Sequence, residues 1–234
     1  MSAKFVPATG LACFLKWYDP LVRLFAGETR FKAHLLSHVV TSLPARMLDV
    51  GCGSGTLALA IARQHPDIEI VGVDADPRIL DQARRKMRAQ QGAQVKWQLG
   101  DATQLSWPDE SVDQVFCTLV FHHLRTTEKK LALAEFFRVL KPGGVLSLAD
   151  FARPASQFAR LRFITVRMID GWQRTRCNDQ GGLQQLMRQA GFDPVDETLA
   201  LATLMGTIRC FCAIRPSPVA RTTASGCDRE PAAS

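Results

Sequence analysis

The stretch Met47-Leu-Asp-Val-Gly-Cys-Gly-Ser-Gly-Thr-Leu-Ala-Leu-Ala-Ile-Ala62 sets the architecture of this chain. It begins as a short apolar strand, turns at three glycines in alternate positions and continues with apolar residues at helical spacing. Glycine lets the backbone turn sharply and leaves no Cβ between the chain and a ligand, and Ser54 or Thr56 can cap the helix that follows. A glycine turn between a strand and a helix N-terminus predicts a site for a nucleotide-like ligand.

The residues around the glycines, Gly51, Gly53 and Gly55, narrow the choice of ligand. Counted from Gly53, the turn matches Gly-x-Gly-x-x-Ala, so the glycines alone leave an NAD-dependent oxidoreductase open. Asp49 argues against that alternative, because a carboxylate two residues before the first glycine would repel a pyrophosphate. S-adenosylmethionine carries an ammonium and a sulfonium and has no phosphate, so Asp49 favours it.

Acidic residues also follow the next two predicted strands. The strand over 68–73 leads into Asp74, where a carboxylate can accept hydrogen bonds from both ribose hydroxyls. Asp76 is the better candidate to cap the helix that starts at residue 77. The strand over 94–99 leads into Asp101, whose carboxylate can accept from an adenine amino group. The sequence therefore places one carboxylate at the end of each of its first three strands.

Composition and charge bound the class of protein. The chain has 234 residues, of which 47% are hydrophobic and 22% charged, which suits one α/β domain with a full core. The net charge of +7 is diffuse, and its densest cluster, over 84–88, is interpreted as a solvated helix face. No nucleic-acid partner is expected, whereas peripheral membrane contact and the oligomeric state are left open.

The seven cysteines form no disulfide or metal-binding pattern, because their number is odd and no Cys-x-x-Cys occurs. We expect a cytoplasmic protein with reduced thiols and no metal site. A soft-metalloid acceptor held by scattered cysteines is a remote alternative. No apolar run reaches the roughly 18 residues needed to span a bilayer, and the first residues lack a signal-peptide pattern.

The motifs occur in order over residues 46–151, together with the segment 112–124 and Arg138-Val-Leu-Lys-Pro-Gly-Gly144. The combination resembles the core of class I S-adenosylmethionine-dependent methyltransferases. Tyr18-Asp19-Pro20 and the chain length are similar to the ubiquinone/menaquinone-type C-methyltransferases. The resemblance implies a Rossmann-like α/β fold with a seven-stranded, mostly parallel sheet, helices on both faces and an N-terminal helical lid. It implies S-adenosyl-L-methionine as cofactor, held by Tyr18, Asp49, Gly51, Gly53, Gly55, Asp74, Ala75, Asp101, Ala102, Leu119 and His122.

The implied domain organisation has three parts. A helical lid over 1–45 precedes a methyltransferase domain over 46–214, and a polar, disordered tail covers 215–234. The domain contains an arginine-rich insertion over 151–190, which in the family builds the acceptor pocket, and it ends in a strand over 203–214. Aromatic N-terminal helices and the arginines of the insertion suit a small-molecule or lipid-like acceptor. Cys117-Thr-Leu-Val stands where enzymes that methylate nucleobase amines carry an Asn/Asp-Pro-Pro motif, which disfavours such a substrate.

Candidate catalytic residues follow the fourth predicted strand. Methyl transfer from a sulfonium mainly needs alignment and water exclusion, and it needs a base only if the acceptor must lose a proton. His122 and His123 are the leading candidates for such a base, and the alternative is that they pack against the cofactor and bond backbone groups. Tyr18 and Asp150 rank second, as bridge to the acceptor and as base, and Asp170 ranks third. A non-catalytic S-adenosylmethionine-binding protein is the alternative function.

Overall fold

The computed structural model describes residues 28–42, 45–90, 92–152, 182–204 and 206–217. Tyr18, Asp170, most of the predicted lid and insertion, and residues 218–234 lie outside these ranges. Among the described residues, no helix combines the length and apolar character required to cross a bilayer.

One sheet of seven strands runs through the described structure. Its strands are β1 (Arg46–Val50), β2 (Glu69–Asp74), β3 (Lys96–Leu99), β4 (Val112–Thr118), β5 (Leu140–Phe151), β6 (Val195–Thr203) and β7 (Gly206–Ile214). Their order across the sheet is β3-β2-β1-β4-β5-β7-β6. The first five strands in that order pair in parallel, and β7 runs antiparallel to both β5 and β6. The predicted seven-stranded, mostly parallel sheet is confirmed.

Helices cover both faces of this sheet. They are α1 (Glu28–Leu36), α2 (Thr56–Gln64), α3 (Pro77–Ala89), α4 (Thr126–Val139) and α5 (Gly182–Gln189), with a 3-10 turn over Phe121–His123. Successive strand residues point to opposite faces, so Met47 packs in a cluster with α1 and α2, whereas Leu48 packs in a second cluster with α4 and α5. Two hydrophobic cores therefore hold the sheet between helical layers, as the resemblance implied.

The C-terminal part of the predicted lid region packs against the body of the domain. Phe31 and Leu35 of α1 are buried in the same cluster as Met47 of β1 and Leu57 of α2. This part of the region therefore belongs to the hydrophobic core.

The start of α2 differs from the sequence prediction. Its N-cap is Gly55, with φ +76° and no side-chain cap, so neither Ser54 nor Thr56 caps the helix. The Lys86 ammonium of α3 donates to both hydroxyls, at 2.8 Å to Ser54 Oγ and 3.1 Å to Thr56 Oγ1. The Ser54 and Thr56 hydroxyls thus bind a side chain of another helix and do not cap α2.

The C-terminal strands also differ from the prediction. A single strand over 203–214 was expected, whereas the structure has a hairpin of β6 and β7. Strand β6 lies at the sheet edge, and its exposed and buried residues do not alternate strictly, so its sequence lacks a clear period of two. The seventh strand came from the family resemblance and was not located by the local pattern.

The C-terminal end of α4 is capped by Arg215, the residue that follows β7. Arg215 Nη1 donates to the carbonyls of Phe137 at 2.9 Å and Arg138 at 3.1 Å. Its guanidinium also lies 4.8 Å from the centre of the Phe137 ring. Arg215, the first residue of the predicted tail, therefore lies in the described structure and contacts the domain.

Candidate functional site

The predicted site residues gather at the carboxyl ends of the parallel strands. The strand order reverses between β1 and β4, and a crevice opens at such a reversal in doubly wound sheets. Asp49 is in β1, Asp74 ends β2, Asp101 follows β3, and His122 lies in the turn after β4. The topology thus brings together residues that are up to 73 positions apart in the chain.

The glycine loop is anchored to the end of β2. The N–H groups of Gly51 and Cys52 donate to Val73 O at 2.7 and 3.1 Å. The Gly53 N–H donates to Asp74 Oδ2 at 2.8 Å. These bonds hold the loop against the neighbouring strand and set the position of the α2 N-terminus.

The three glycines have different roles, although all have a positive φ. A Cβ at Gly51 would come within 2.1 Å of the Val120 side chain, and one at Gly55 within 2.2 Å of the Trp97 ring. A Cβ at Gly53 would meet no atom within 4 Å. Gly51 and Gly55 thus leave room for side chains of the protein, a role that the motif did not predict, and Gly53 borders open space.

Asp49 is a buried carboxyl group that lacks a full set of partners. It is 1% exposed, and its Oδ1 has no hydrogen-bond partner among the described residues. Burial raises the pKa of Asp49 to about 7, although the charge of Lys32 and the Ala58 N–H act in the opposite direction. An unpaired buried carboxylate oxygen beside a glycine loop fits a ligand that carries an ammonium group.

Asp74 is held in place by backbone donors. Its Oδ2 accepts from Gly53 and its Oδ1 accepts from the Asp76 N–H at 3.0 Å. Burial is the main cause that raises the pKa of Asp74. A carboxylate has about four acceptor positions, so each oxygen can accept a further bond, which fits two ribose hydroxyls.

Asp76 accepts from the Arg78 N–H at 2.9 Å, which confirms it as the cap of α3.

Asp101 lies at the exposed tip that follows β3. Its Oδ1 accepts from the N–H and the hydroxyl of Thr103, both at 2.8 Å. The neighbouring Ala102 is half-buried, and Leu99, at the end of β3, is 59% exposed. The fixed carboxylate and this apolar surface fit the amino group and the ring of an adenine, and the sequence did not single out Leu99.

The segment after β4 brings the histidines into the site. Leu119 has a φ of +56°, and its N–H donates to Ala149 O at 2.8 Å. The chain then enters the 3-10 turn, where His122 is 5% exposed and lies with its ring centre 3.9 Å from that of His123. His122 and Leu119 thus border the crevice at the switch in strand order.

The structure joins two candidates that the sequence had treated separately. His122 Nδ1 lies 2.8 Å from Asp150 Oδ1. Asp150 is fully buried, and its Oδ2 accepts from the Phe121 N–H at 2.6 Å. This carboxylate is therefore engaged by protein groups, which disfavours the prediction that Asp150 itself acts as the base on an acceptor. No local motif could reveal the pair, because its members are 28 residues apart, His122 in the 3-10 turn after β4 and Asp150 in β5.

The described cysteines are free, namely Cys52, Cys117, Cys210 and Cys212. Burial raises the pKa of the Cys52 and Cys117 thiols well above the usual range, so both are neutral. Within the described ranges no group of His, Cys, Asp and Glu side chains is arranged to hold a metal ion.

Comparisons with known proteins agree with this geometry. Residues 47–144 match a family model described as a methyltransferase domain. The chain is 42% identical over 141 residues to the demethylmenaquinone methyltransferase of Deinococcus radiodurans, covering 59% of this chain and 57% of that relative. It is 29% identical over 219 residues to the demethylmenaquinone methyltransferase of Symbiobacterium thermophilum, and this match covers 82% of this chain and 79% of that relative. The chain thus spans less than two thirds of the length of the first relative.

A solved structure shows the same fold. The magnesium protoporphyrin IX methyltransferase of Synechocystis, with bound S-adenosylhomocysteine, superposes with a TM-score of 0.65 at 20% sequence identity. The match covers 81% of this chain and 84% of that one. At this identity the likeness concerns the fold alone.

Proposed function

We propose that this protein is a class I S-adenosylmethionine-dependent methyltransferase with its core over residues 47–144, and that it transfers a methyl group to a small-molecule or lipid-like acceptor. Because two of its relatives are named for demethylmenaquinone, a quinol-type ring is the first acceptor class to test. The ubiquinone/menaquinone-type resemblance of the sequence agrees with these names.

The orphaned Oδ1 of Asp49 carries the proposal. In it, Asp49 binds the ammonium group of the cofactor, Asp74 the ribose hydroxyls and Asp101 the adenine amino group, while Gly53 allows close backbone approach. When bound, S-adenosylmethionine supplies a methyl group that the sulfonium charge has already activated. The chain binds and orients the reactants and keeps water out, and a base is needed only for an acceptor that must lose a proton.

The alternatives have less support. A dinucleotide would bring its pyrophosphate close to Asp49, at an energetic cost for two like charges. The family model and the relatives support neither an NAD-dependent oxidoreductase nor a non-catalytic binding protein.

We further propose a cytoplasmic location. The free thiols of the described cysteines suit a reducing compartment. The proposal includes no nucleic-acid partner, and a lipid-like acceptor would bring the protein to the membrane surface only as a peripheral contact.

Calorimetric titration tests the proposal. S-adenosylmethionine and S-adenosylhomocysteine should bind to the wild-type protein, and NAD should not. Asp49→Asn should weaken binding of both adenosyl compounds by roughly 10-fold to 100-fold, because a charged hydrogen bond is lost. Asp67→Asn removes an exposed carboxylate and is the matched control. NAD binding, or unchanged affinity in Asp49→Asn, would contradict the assignment of the site.

A further inference from the structure

A buried pair of ionisable side chains, His122 and Asp150, lies near the carboxyl ends of β4 and β5. Asp150 is fully buried and His122 is 5% exposed. Burying a carboxylate is costly unless hydrogen bonds compensate it, and a buried ion pair often contributes no more stability than apolar residues of the same volume. A purely structural role therefore gains little from this pair.

The contacts of Asp150 fix the orientation of the His122 ring. Asp150 Oδ2 accepts from the Phe121 N–H, and Oδ1 lies 2.8 Å from His122 Nδ1. Because an ionised carboxylate only accepts, His122 donates its Nδ1–H, which leaves Nε2 as the basic nitrogen of the ring. The Phe151 ring packs edge-on against the imidazole, with ring centres 5.2 Å apart. The pair is thus arranged for a ring that takes up a proton at Nε2.

The sheet register places the pair nearer the open edge than Asp49. Asp49 in β1 is aligned with Phe116 of β4, whereas Ala149 in β5 is aligned with Thr118. Asp150 is therefore two strands from Asp49, roughly 10 Å across the sheet, and three residues, about 10 Å, closer to the carboxyl edge. Ligands of α/β sheets bind beyond this edge, so the pair lies on the side where an acceptor would approach the cofactor.

We propose that His122 is the general base for an acceptor with an acidic hydroxyl, such as a phenol or a quinol, and that Asp150 is its positioning residue. This inference rests on the proposed function. The acceptor O–H bond breaks, and its proton goes to His122 Nε2. The electron pair left on the acceptor forms the new bond to the methyl carbon, either from oxygen or through the conjugated ring carbon. The methyl–sulfur bond breaks with its electrons on sulfur, and the positive charge passes to the imidazolium beside Asp150.

Few other titratable groups face His122 from the described elements. The His123 ring lies 3.9 Å away and is tilted by 43°, and Asp150 is within hydrogen-bond distance of His122 Nδ1. Cys117 of β4 interacts with the charge of Asp150, but burial raises its thiol pKa so far that it stays protonated. Substituting His122, His123 and Asp150 in turn shows what each of these three groups contributes to the pH profile.

Asp150→Asn gives a specific test. The Phe121 N–H needs an acceptor, so the carbonyl of the new amide side chain should turn to it and the NH₂ group to His122 Nδ1. The ring should then carry its proton on Nε2, which would no longer be the basic nitrogen. In ¹⁵N-detected spectra of the complex with S-adenosylhomocysteine, the wild-type His122 should be protonated at Nδ1 and the variant at Nε2. His122→Gln identifies the signals, and Asp67→Asn is the control. A wild-type His122 protonated at Nε2 would overturn the proposal.

Methyl transfer to 1,4-naphthoquinol completes the test. The wild-type rate should rise with pH to a plateau, whereas His122→Gln and Asp150→Asn should be roughly 10²-fold to 10⁴-fold slower, without that plateau. The double variant should be no slower than the single ones, because the two residues act as a unit. Full rates in either variant, or no transfer to the quinol by a protein that binds S-adenosylhomocysteine, would overturn the inference. Failure of the wild-type protein to bind S-adenosylhomocysteine would instead contradict the proposed function.

Discussion

Asp49 combines a binding role with a raised pKa. In the ligand-free protein its pKa is about 7, mainly because of burial, while an ammonium group needs the ionised carboxylate. We therefore predict that the affinity for S-adenosylmethionine is constant above about pH 8, where Asp49 is almost fully ionised, and falls about tenfold per pH unit well below pH 7. Calorimetry between about pH 5.5 and about pH 8.5 measures this dependence. Asp49→Asn should bind weakly and largely independently of pH, and an equally flat wild-type profile would contradict the assignment.

The same carboxyl group should lower the stability of the fold at neutral pH. Its pKa is raised from 3.8 in the unfolded reference to about 7 in the fold, so the native state binds the proton more tightly. The resulting stability is fully present below pH 4 and is lost as the pH rises through 7. We expect Asp49→Asn to raise the free energy of unfolding by about 1–4 kcal/mol relative to wild type at pH 8, with a smaller effect at pH 4.5. Urea unfolding at both values checks this, and an equal effect at both would count against the linkage.

Two glycines of the loop, Gly53 and Gly55, should differ in the effect of an added side chain. Gly53→Ala places a Cβ in open space and should cost about 1–2 kcal/mol of stability through its positive φ, with weaker cofactor binding. Gly55→Ala should cost a further 1–3 kcal/mol, because its Cβ would overlap the Trp97 ring. Thermal unfolding and calorimetry distinguish the two variants. Adding Trp97→Val to Gly55→Ala should recover more stability than the single substitutions predict, and strict additivity would show that the clash is unimportant.

At the level of elements, Arg215 joins the end of the described chain to α4. A cation near a helix C-terminus interacts favourably with the last carbonyls and with the helix dipole. Arg215 donates to the carbonyls of Phe137, Arg138 and Leu140 and forms an ion pair with Glu110. Arg215→Ala should lower the free energy of unfolding by about 1–3 kcal/mol in urea titration. Arg215→Lys should recover only part of the loss, since one ammonium cannot reproduce the planar guanidinium on the Phe137 ring. Arg85→Ala, an exposed substitution on α3, is the control. A loss no larger than that of the control would show that the cap is unimportant.

At the level of the whole molecule, the sheet order predicts where stability resides. Strand β4 has strand neighbours on both sides and a buried interior, whereas β3 and β6 lie at the sheet edges. We expect hydrogen exchange to be slowest in β4 and faster at both edges. S-adenosylhomocysteine should slow exchange at the glycine loop and the end of β2 and leave β7 unchanged. Mass-spectrometric exchange with and without the ligand tests this, and protection confined to β6 and β7 would place the ligand elsewhere.

The sequence by itself determined those features of the protein that depend on residues close together in the chain. A buried parallel strand has an apolar run of residues, a left-handed turn favours glycine, and Asp76 caps the helix that directly follows it. These local constraints placed a carboxylate at the end of each of the first three strands, and the order of the motifs resembles the class I methyltransferase core, which implied the cofactor. The comparisons support the family and the cofactor, and the individual binding roles stay predictions.

Only the tertiary structure decided the contacts that join distant segments. Lys86 binds the hydroxyls that were expected to cap α2, Trp97 explains why residue 55 is glycine, and Asp150 orients His122. Each of these contacts depends on which side chains the sheet order and register bring close together. Short-range patterns of hydrophobicity and turn residues do not determine the distances between segments that are far apart in the chain. The local sequence therefore determined the scaffold, and the packing of segments determined which polar groups became partners.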